Sequence, residues 1–275
     1  LKYAYLYAKT VTLGRTHWSD TNRVMLRNRR IGCSVSGVAQ FITNRGIDEL
    51  RTWLEEGYDT IQEWDKEYSD WFAIPKSIKT TSVKPSGTVS LLAGATPGLH
   101  YPESRFYTRR IRLSINSELV EPLKKAGYKI EPAYGSEDST LVVEIPVDVG
   151  EGIRTASELT IWEQFSIAAF LQRHWADNQV SCTVTFDPEK EGEQIPHVLN
   201  YYQYHLKGIS LLPRHDYGAY KQMPYEAIEE KEYNKQVKKL GKLSFGVIKN
   251  EEAEVDKFCN NESCEIPGLN VEENS

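Results

Sequence analysis

From Ile47 onward, Leu50, Leu54, Tyr58, Ile61, Trp64, Tyr68 and Trp71 recur at intervals of three and four residues, which lays one apolar stripe along a long helix. An aromatic stripe of this kind faces a core. Pro75 ends the pattern, and residues 78–83 read as a strand. Residues 1–13 read as a tyrosine-rich helix closed by Gly14. Further along the period changes to two: Ile111, Leu113 and Ile115 alternate with Arg110, Arg112 and Ser114, as in a half-buried strand. The clearest strand has Val180, Cys182, Val184 and Phe186 on one face and Ser181, Thr183 and Thr185 on the other.

Between these segments, Ser117 caps a short helix that stops at Gly127, and residues 141–147 are β-rich. Thr155 and Glu158 have the spacing of a capping box for a helix through Leu159, Trp162, Phe165, Ala169 and Trp175. Helices are expected over 193–207 and 224–240, with a last strand over 243–247. Strands separated by helices predict an α/β fold with largely parallel pairing.

Composition narrows the class. The chain of 275 residues is 40% hydrophobic and 26% charged, enough for one large domain or two small ones. A net charge of −6 argues against nonspecific binding to nucleic acid. No run of about 18 apolar residues offers a membrane span. Four scattered cysteines do not make a secreted disulfide scaffold, which points to a reducing, cytoplasmic setting. Two arginine clusters, Arg23, Arg27, Arg29 and Arg30, then Arg105, Arg109, Arg110 and Arg112, read as solvated faces. Beyond Lys249 the sequence turns acidic and loses its apolar period, so residues 250–275 are expected to form a mobile tail.

Two stretches carry chemistry. In KPSGTVSLLAG, residues 84–94, a strand breaks on Pro85-Ser86-Gly87-Thr88 and resumes as a helix-compatible segment from Val89. Ser86 and Thr88 bring hydroxyl donors, Gly87 admits close backbone approach, and the following turn adds N–H groups, a set suited to an anion. The same residues also suit an ordinary turn. In CNNESC, four residues separate Cys259 from Cys264, so the two sulfurs can meet in a small loop. They read as a thiol–disulfide exchange pair, as incidental surface cysteines, or as half of a zinc site that lacks a second ligand pair at suitable spacing. Cys33 and Cys182 lie among apolar residues and read as buried small hydrophobes.

Taken together, residues 80–103 (TTSVKPSGTVSLLAGATPGLHYPE), 27–41 (RNRRIGCSVSGVAQF), 212–228 (LPRHDYGAYKQMPYEAI) and 259–264 resemble ribonucleotide reductase catalytic chains, most closely the monomeric adenosylcobalamin-dependent class acting on ribonucleoside triphosphates. The resemblance implies the C-terminal half of a ten-stranded α/β barrel over residues 1–249 and a redox tail over 250–275. It assigns substrate-phosphate binding to Ser86, Gly87, Thr88 and Val89, and electron delivery from thioredoxin to Cys259 and Cys264. It implies adenosylcobalamin as cofactor, without naming the residues that touch it, and a cysteine thiyl radical that abstracts the substrate's 3′-hydrogen.

The family's Asn-Pro-Cys-Gly-Glu type run does not occur in the chain, so a fragment or one half of a split enzyme is expected, partnered by the other half of the barrel and inactive alone. Tyr201 and Tyr202 are adjacent, as in diphosphate reductases that draw their radical from a second subunit, but no Lys-Thr pair precedes them and a packing role is expected. Three alternatives stay open: a large-subunit diphosphate reductase, a non-catalytic nucleotide-phosphate module, and a barrel-complementing partner.

Overall fold

The computed structural model describes residues 1–87, 89–214 and 221–244. The described residues divide into two compact units, one built from 1–101 and 152–214, the other from 102–151 and 221–244.

The first unit is organised on extended segments that run parallel. Residues 31–34 lie beside 79–83, with the Ile31 N–H donating to Lys79 O at 2.8 Å, the Ser82 N–H to Cys33 O at 2.9 Å, and a parallel bridge between Cys33 and Thr81. On its other side 79–83 meets 178–183 through a parallel bridge between Val83 and Val180 and a 2.8 Å bond from the Ser181 N–H to Val83 O. Thr183–Phe186 then pairs in parallel with Ser210–Pro213. Helices connect these segments, as parallel pairing requires. The expected strand over 78–83 is therefore present only as isolated parallel bridges at Thr81 and Val83; residues 31–34 lie beside it and Ser210–Pro213 pairs with Thr183–Phe186, neither having announced itself by alternation.

Packing follows the stripes. The helix Ile47–Phe72 buries Leu50, Leu54, Ile61 and Tyr68 and ends at Ala73 in the left-handed conformation, just ahead of Pro75. It packs on the helix Lys2–Val11, where Lys9 and Asp65 form a fully buried ion pair at 2.6 Å and the Tyr5 hydroxyl donates to the same carboxylate at 2.7 Å. The helix Ile161–His174 covers the strands, its Phe165, Ala168 and Leu171 sharing a core with Val83, Val180, Cys182 and Val184. It starts one box later than the sequence suggested. The Thr155–Glu158 capping box opens only the short turn Ala156–Glu158, and a second box, with the Glu163 N–H on Thr160 Oγ1 at 3.2 Å and the Thr160 N–H on Glu163 Oε2 at 2.9 Å, starts the helix proper.

The second unit departs from the expected parallel pairing. It is a four-stranded antiparallel sheet in the order Lys129–Pro132, Thr140–Asp148, Phe106–Ser114, Tyr225–Ala227. Phe106 opposes Asp148 and Ser114 opposes Thr140. The turn between Pro132 and Thr140 is too short for a crossover, so adjacent strands must reverse. The expected helix over 224–240 is a short strand followed by the helix Glu230–Val237. Of the expected strand over 243–247, residues 243 and 244 are irregular and the remainder lies outside the described residues. Among the described residues, no helix is long and apolar enough to cross a membrane.

Candidate functional site

The carboxyl ends of the first two parallel segments open into two loops, and in parallel sheets this is the edge where ligands bind. The second loop contains the Pro-Ser-Gly motif. Ser86 sits at φ +47°, a left-handed conformation that costs a non-glycine residue about 1–3 kcal/mol and is kept only where its surroundings fix it. Its carbonyl accepts the Ser90 N–H at 3.1 Å and the Ser90 hydroxyl at 2.6 Å, which anchors the single turn Val89–Leu92 behind it. Gly98 closes the loop on itself. At φ +53° it lies so near Lys84 that a Cβ would meet the Lys84 carbonyl oxygen at 2.5 Å, so only glycine fits there.

The first loop, 33–37, braces the second. Ser34 Oγ accepts the Lys84 N–H at 2.9 Å, and Ser36 Oγ shares a short hydrogen bond with Ser86 Oγ. The Gln40 amide spans the next turn, accepting the Thr96 N–H at 2.8 Å and donating to Gly94 O at 2.9 Å. His100 ties the far end to the strands. Its Nε2 accepts the Thr183 N–H at 3.2 Å, which leaves Nδ1 to carry the proton toward Pro97 O at 3.3 Å. Burial pushes the His100 pKa below its ordinary value, so the ring is neutral near pH 7.

This arrangement offers hydroxyls from Ser34, Ser36 and Ser86 and backbone amides, and none of these side chains is acidic. It suits an anion. Of the residues singled out in the sequence, Ser86 and Gly87 lie in this loop and Val89 stands exposed at the start of its turn. Thr88, Cys259 and Cys264 lie outside the described residues. Ser34, Ser36, Gln40, Gly98 and His100 escaped sequence reading. The available signal was the spacing of Ser34 and Ser36, two hydroxyls two residues apart just after the apolar Ile31 and Cys33.

The other candidates resolve into packing. Cys182 is buried, and desolvation pushes its thiol pKa up to about 12, whereas Cys33 is only half-buried. Tyr202 packs on Phe165 at 5.7 Å between ring centroids, and Tyr201 sets its edge to Trp162 at 6.0 Å. The arginine clusters are not uniformly solvated: Arg29 is buried and donates to Thr12 O at 2.5 Å, Arg110 pairs with Glu144 at 2.9 Å, and Arg109 lies 4.5 Å over the Tyr225 ring. Among the described residues, no group of three or more His, Cys, Asp or Glu is placed to hold a metal ion.

No protein-family model matches the chain. Its sequence is 58% identical over 277 residues to the probable adenosylcobalamin-dependent ribonucleoside-triphosphate reductase of Dictyostelium discoideum, a match covering 99% of this chain and 36% of that protein. The chain belongs to the ribonucleotide reductase family. The adenosylcobalamin-dependent ribonucleoside-triphosphate reductase of Euglena gracilis is 56% identical over 95% of this chain and 36% of its own length. The crystal structure of a B12-dependent (class II) ribonucleotide reductase matches with a TM-score of 0.76 at 32% identity, covering 87% of this chain and 37% of that one. The class Id reductase alpha subunit of Actinobacillus ureae, at 14% identity and a TM-score of 0.52, shares the fold. The chain thus has the α/β architecture of these reductases and spans about 36% of the length of the curated relatives it matches.

Proposed function

We propose that this chain is the part of an adenosylcobalamin-dependent ribonucleoside-triphosphate reductase that holds the substrate's phosphates and returns its reducing equivalents. The observation that carries this reading is the 58% identity over 99% of the chain to a protein of that name. Ser86, Gly87, Thr88 and Val89 form the phosphate loop: hydroxyls and amides at the carboxyl edge of the parallel segments meet the negative oxygens, and the bonds from Ser34 to Lys84 and from Ser36 to Ser86 brace the entry to the loop before the ligand arrives. Cys259 and Cys264 form the dithiol that reduces the active-site disulfide, with thioredoxin recharging it. The reaction runs in a cytoplasmic setting.

Adenosylcobalamin would supply the radical that starts the reaction. The small hydroxyls of the loop fit phosphate oxygens and offer no platform for a corrin ring, so this site does not hold that cofactor. The radical cysteine also lies elsewhere, because the Asn-Pro-Cys-Gly-Glu type run is absent from this sequence. What these residues do is bind and orient. The phosphates are gripped while the ribose is presented to chemistry supplied from beyond the loop.

The test is turnover by the full-length protein. Deoxynucleoside triphosphate should form only when adenosylcobalamin is added, and Thr88→Val should weaken substrate binding by about 1.5–3 kcal/mol, the range for a hydrogen bond to a charged group. Product without adenosylcobalamin refutes the cofactor, and unchanged affinity in Thr88→Val refutes the role given to that hydroxyl.

A further inference from the structure

Ser36 stands outside the phosphate loop, on the segment that follows the first parallel strand, yet its hydroxyl is bound into that loop. Its Oγ accepts the Gly98 N–H at 3.4 Å and shares the short hydrogen bond with Ser86 Oγ. A serine hydroxyl owns one proton and two lone pairs. An N–H donating into Ser36 polarises it, and a polarised hydroxyl is a better donor to its neighbour. The opposite direction would leave Ser36 accepting twice and Ser86 with no proton for a ligand.

We propose that Ser36 is a positioning residue for the phosphate site, a proposal that rests on the reading of residues 86–89 as the phosphate loop. The chain of donors runs from the Gly98 N–H to Ser36 and from the Ser36 hydroxyl to Ser86. The Ser86 hydroxyl is thereby made a donor, which selects an acceptor-only ligand such as a phosphate oxygen. The same contact holds Ser86 at its positive φ, where the residue has little conformational preference of its own. Ser34 has a parallel duty one step earlier, since its Oγ fixes the Lys84 N–H at the entry to the loop. Two serines of one extended segment therefore set the geometry of the other.

The experiment is calorimetric titration of the full-length protein with inorganic triphosphate. Ser36→Ala should weaken binding about tenfold and Ser36→Thr, which keeps the hydroxyl, should stay within about twofold of the unsubstituted protein. Because Ser36 acts through Ser86, the double variant Ser36→Ala/Ser86→Ala should bind no more weakly than Ser86→Ala alone. Ser36 is exposed and the Ser86 carbonyl keeps its bonds to Ser90, so the alanine variant should stay folded. If the alanine variant nevertheless fails to fold, Ser36→Cys gives the same comparison with a weaker donor. Unchanged affinity in Ser36→Ala, or additive losses in the double variant, overturns the role of Ser36 and leaves the phosphate loop standing. Absence of triphosphate binding by the unsubstituted folded protein overturns both.

Discussion

At the scale of single residues, His100 links the loop that carries Ser86 to the strands through one tautomer. Its Nε2 must stay unprotonated to accept the Thr183 N–H, and protonation would set two donors face to face. Burial holds its folded-state pKa below the ordinary value of about 6.5. Between those two values the unfolded chain binds more protons than the folded one, so stability rises with pH there and is lost as pH falls below about 6.5. Melting midpoints at pH 7.5 and pH 5.5 should therefore differ more in the unsubstituted protein than in His100→Gln, which cannot titrate over that range. An equal difference in the two proteins would show that His100 does not carry the dependence. Nothing in the sequence marked this histidine, because its partners lie at Pro97 and at Thr183 on a distant strand. The loop at Ser86 and Gly87, by contrast, was legible, since Pro-Ser-Gly is a local chain break that needs no distant partner.

Elements were readable wherever their own periodicity fixed them. The stripe from Leu50 to Tyr68 gave the long helix, and the alternation through Val180 and Phe186 gave its strand. Elements stabilised by neighbours were not: residues 31–34 hold their extended form through bonds to Lys79 and Thr80, and Thr160 outcompetes Thr155 as the helix cap because Ile161 onward supplies the buried face. The join between the first helix and the long one was equally invisible, since no local pattern sets Lys9 or Asp65 apart from the other charged residues of their helices. Both are buried and the pair is reinforced by Tyr5 and by the Ser77 N–H, 3.1 Å from Asp65 Oδ2. Lys9→Met leaves that carboxylate buried without its counter-charge and should cost about 3–5 kcal/mol in urea unfolding. The double variant Lys9→Met/Asp65→Leu should recover part of the loss, because no orphaned charge remains. A loss in Lys9→Met below about 1 kcal/mol, the range of an exposed pair, would mean that the pair is solvated in solution.

For the whole molecule, the parallel half of the architecture followed from strands alternating with helices, whereas the antiparallel unit did not. The short turn before Thr140 is what separates a hairpin from a crossover there. The functional reading likewise depends on two regions that no local pattern connects: a phosphate loop at residue 86 and a dithiol near the end of the sequence. The link is tested through the electrons. If Cys259 and Cys264 pass two electrons and two protons to the active-site disulfide and are left as a disulfide themselves, the thiolate of one must attack and the other must resolve the mixed disulfide. In the full-length protein, Cys259→Ser and Cys264→Ser should each abolish turnover driven by thioredoxin. Turnover driven by a small dithiol, which reaches the interior disulfide without the relay, should persist in both. Equal loss under the two reductants would place the pair in the chemistry or the fold, and equal retention would make the two cysteines bystanders.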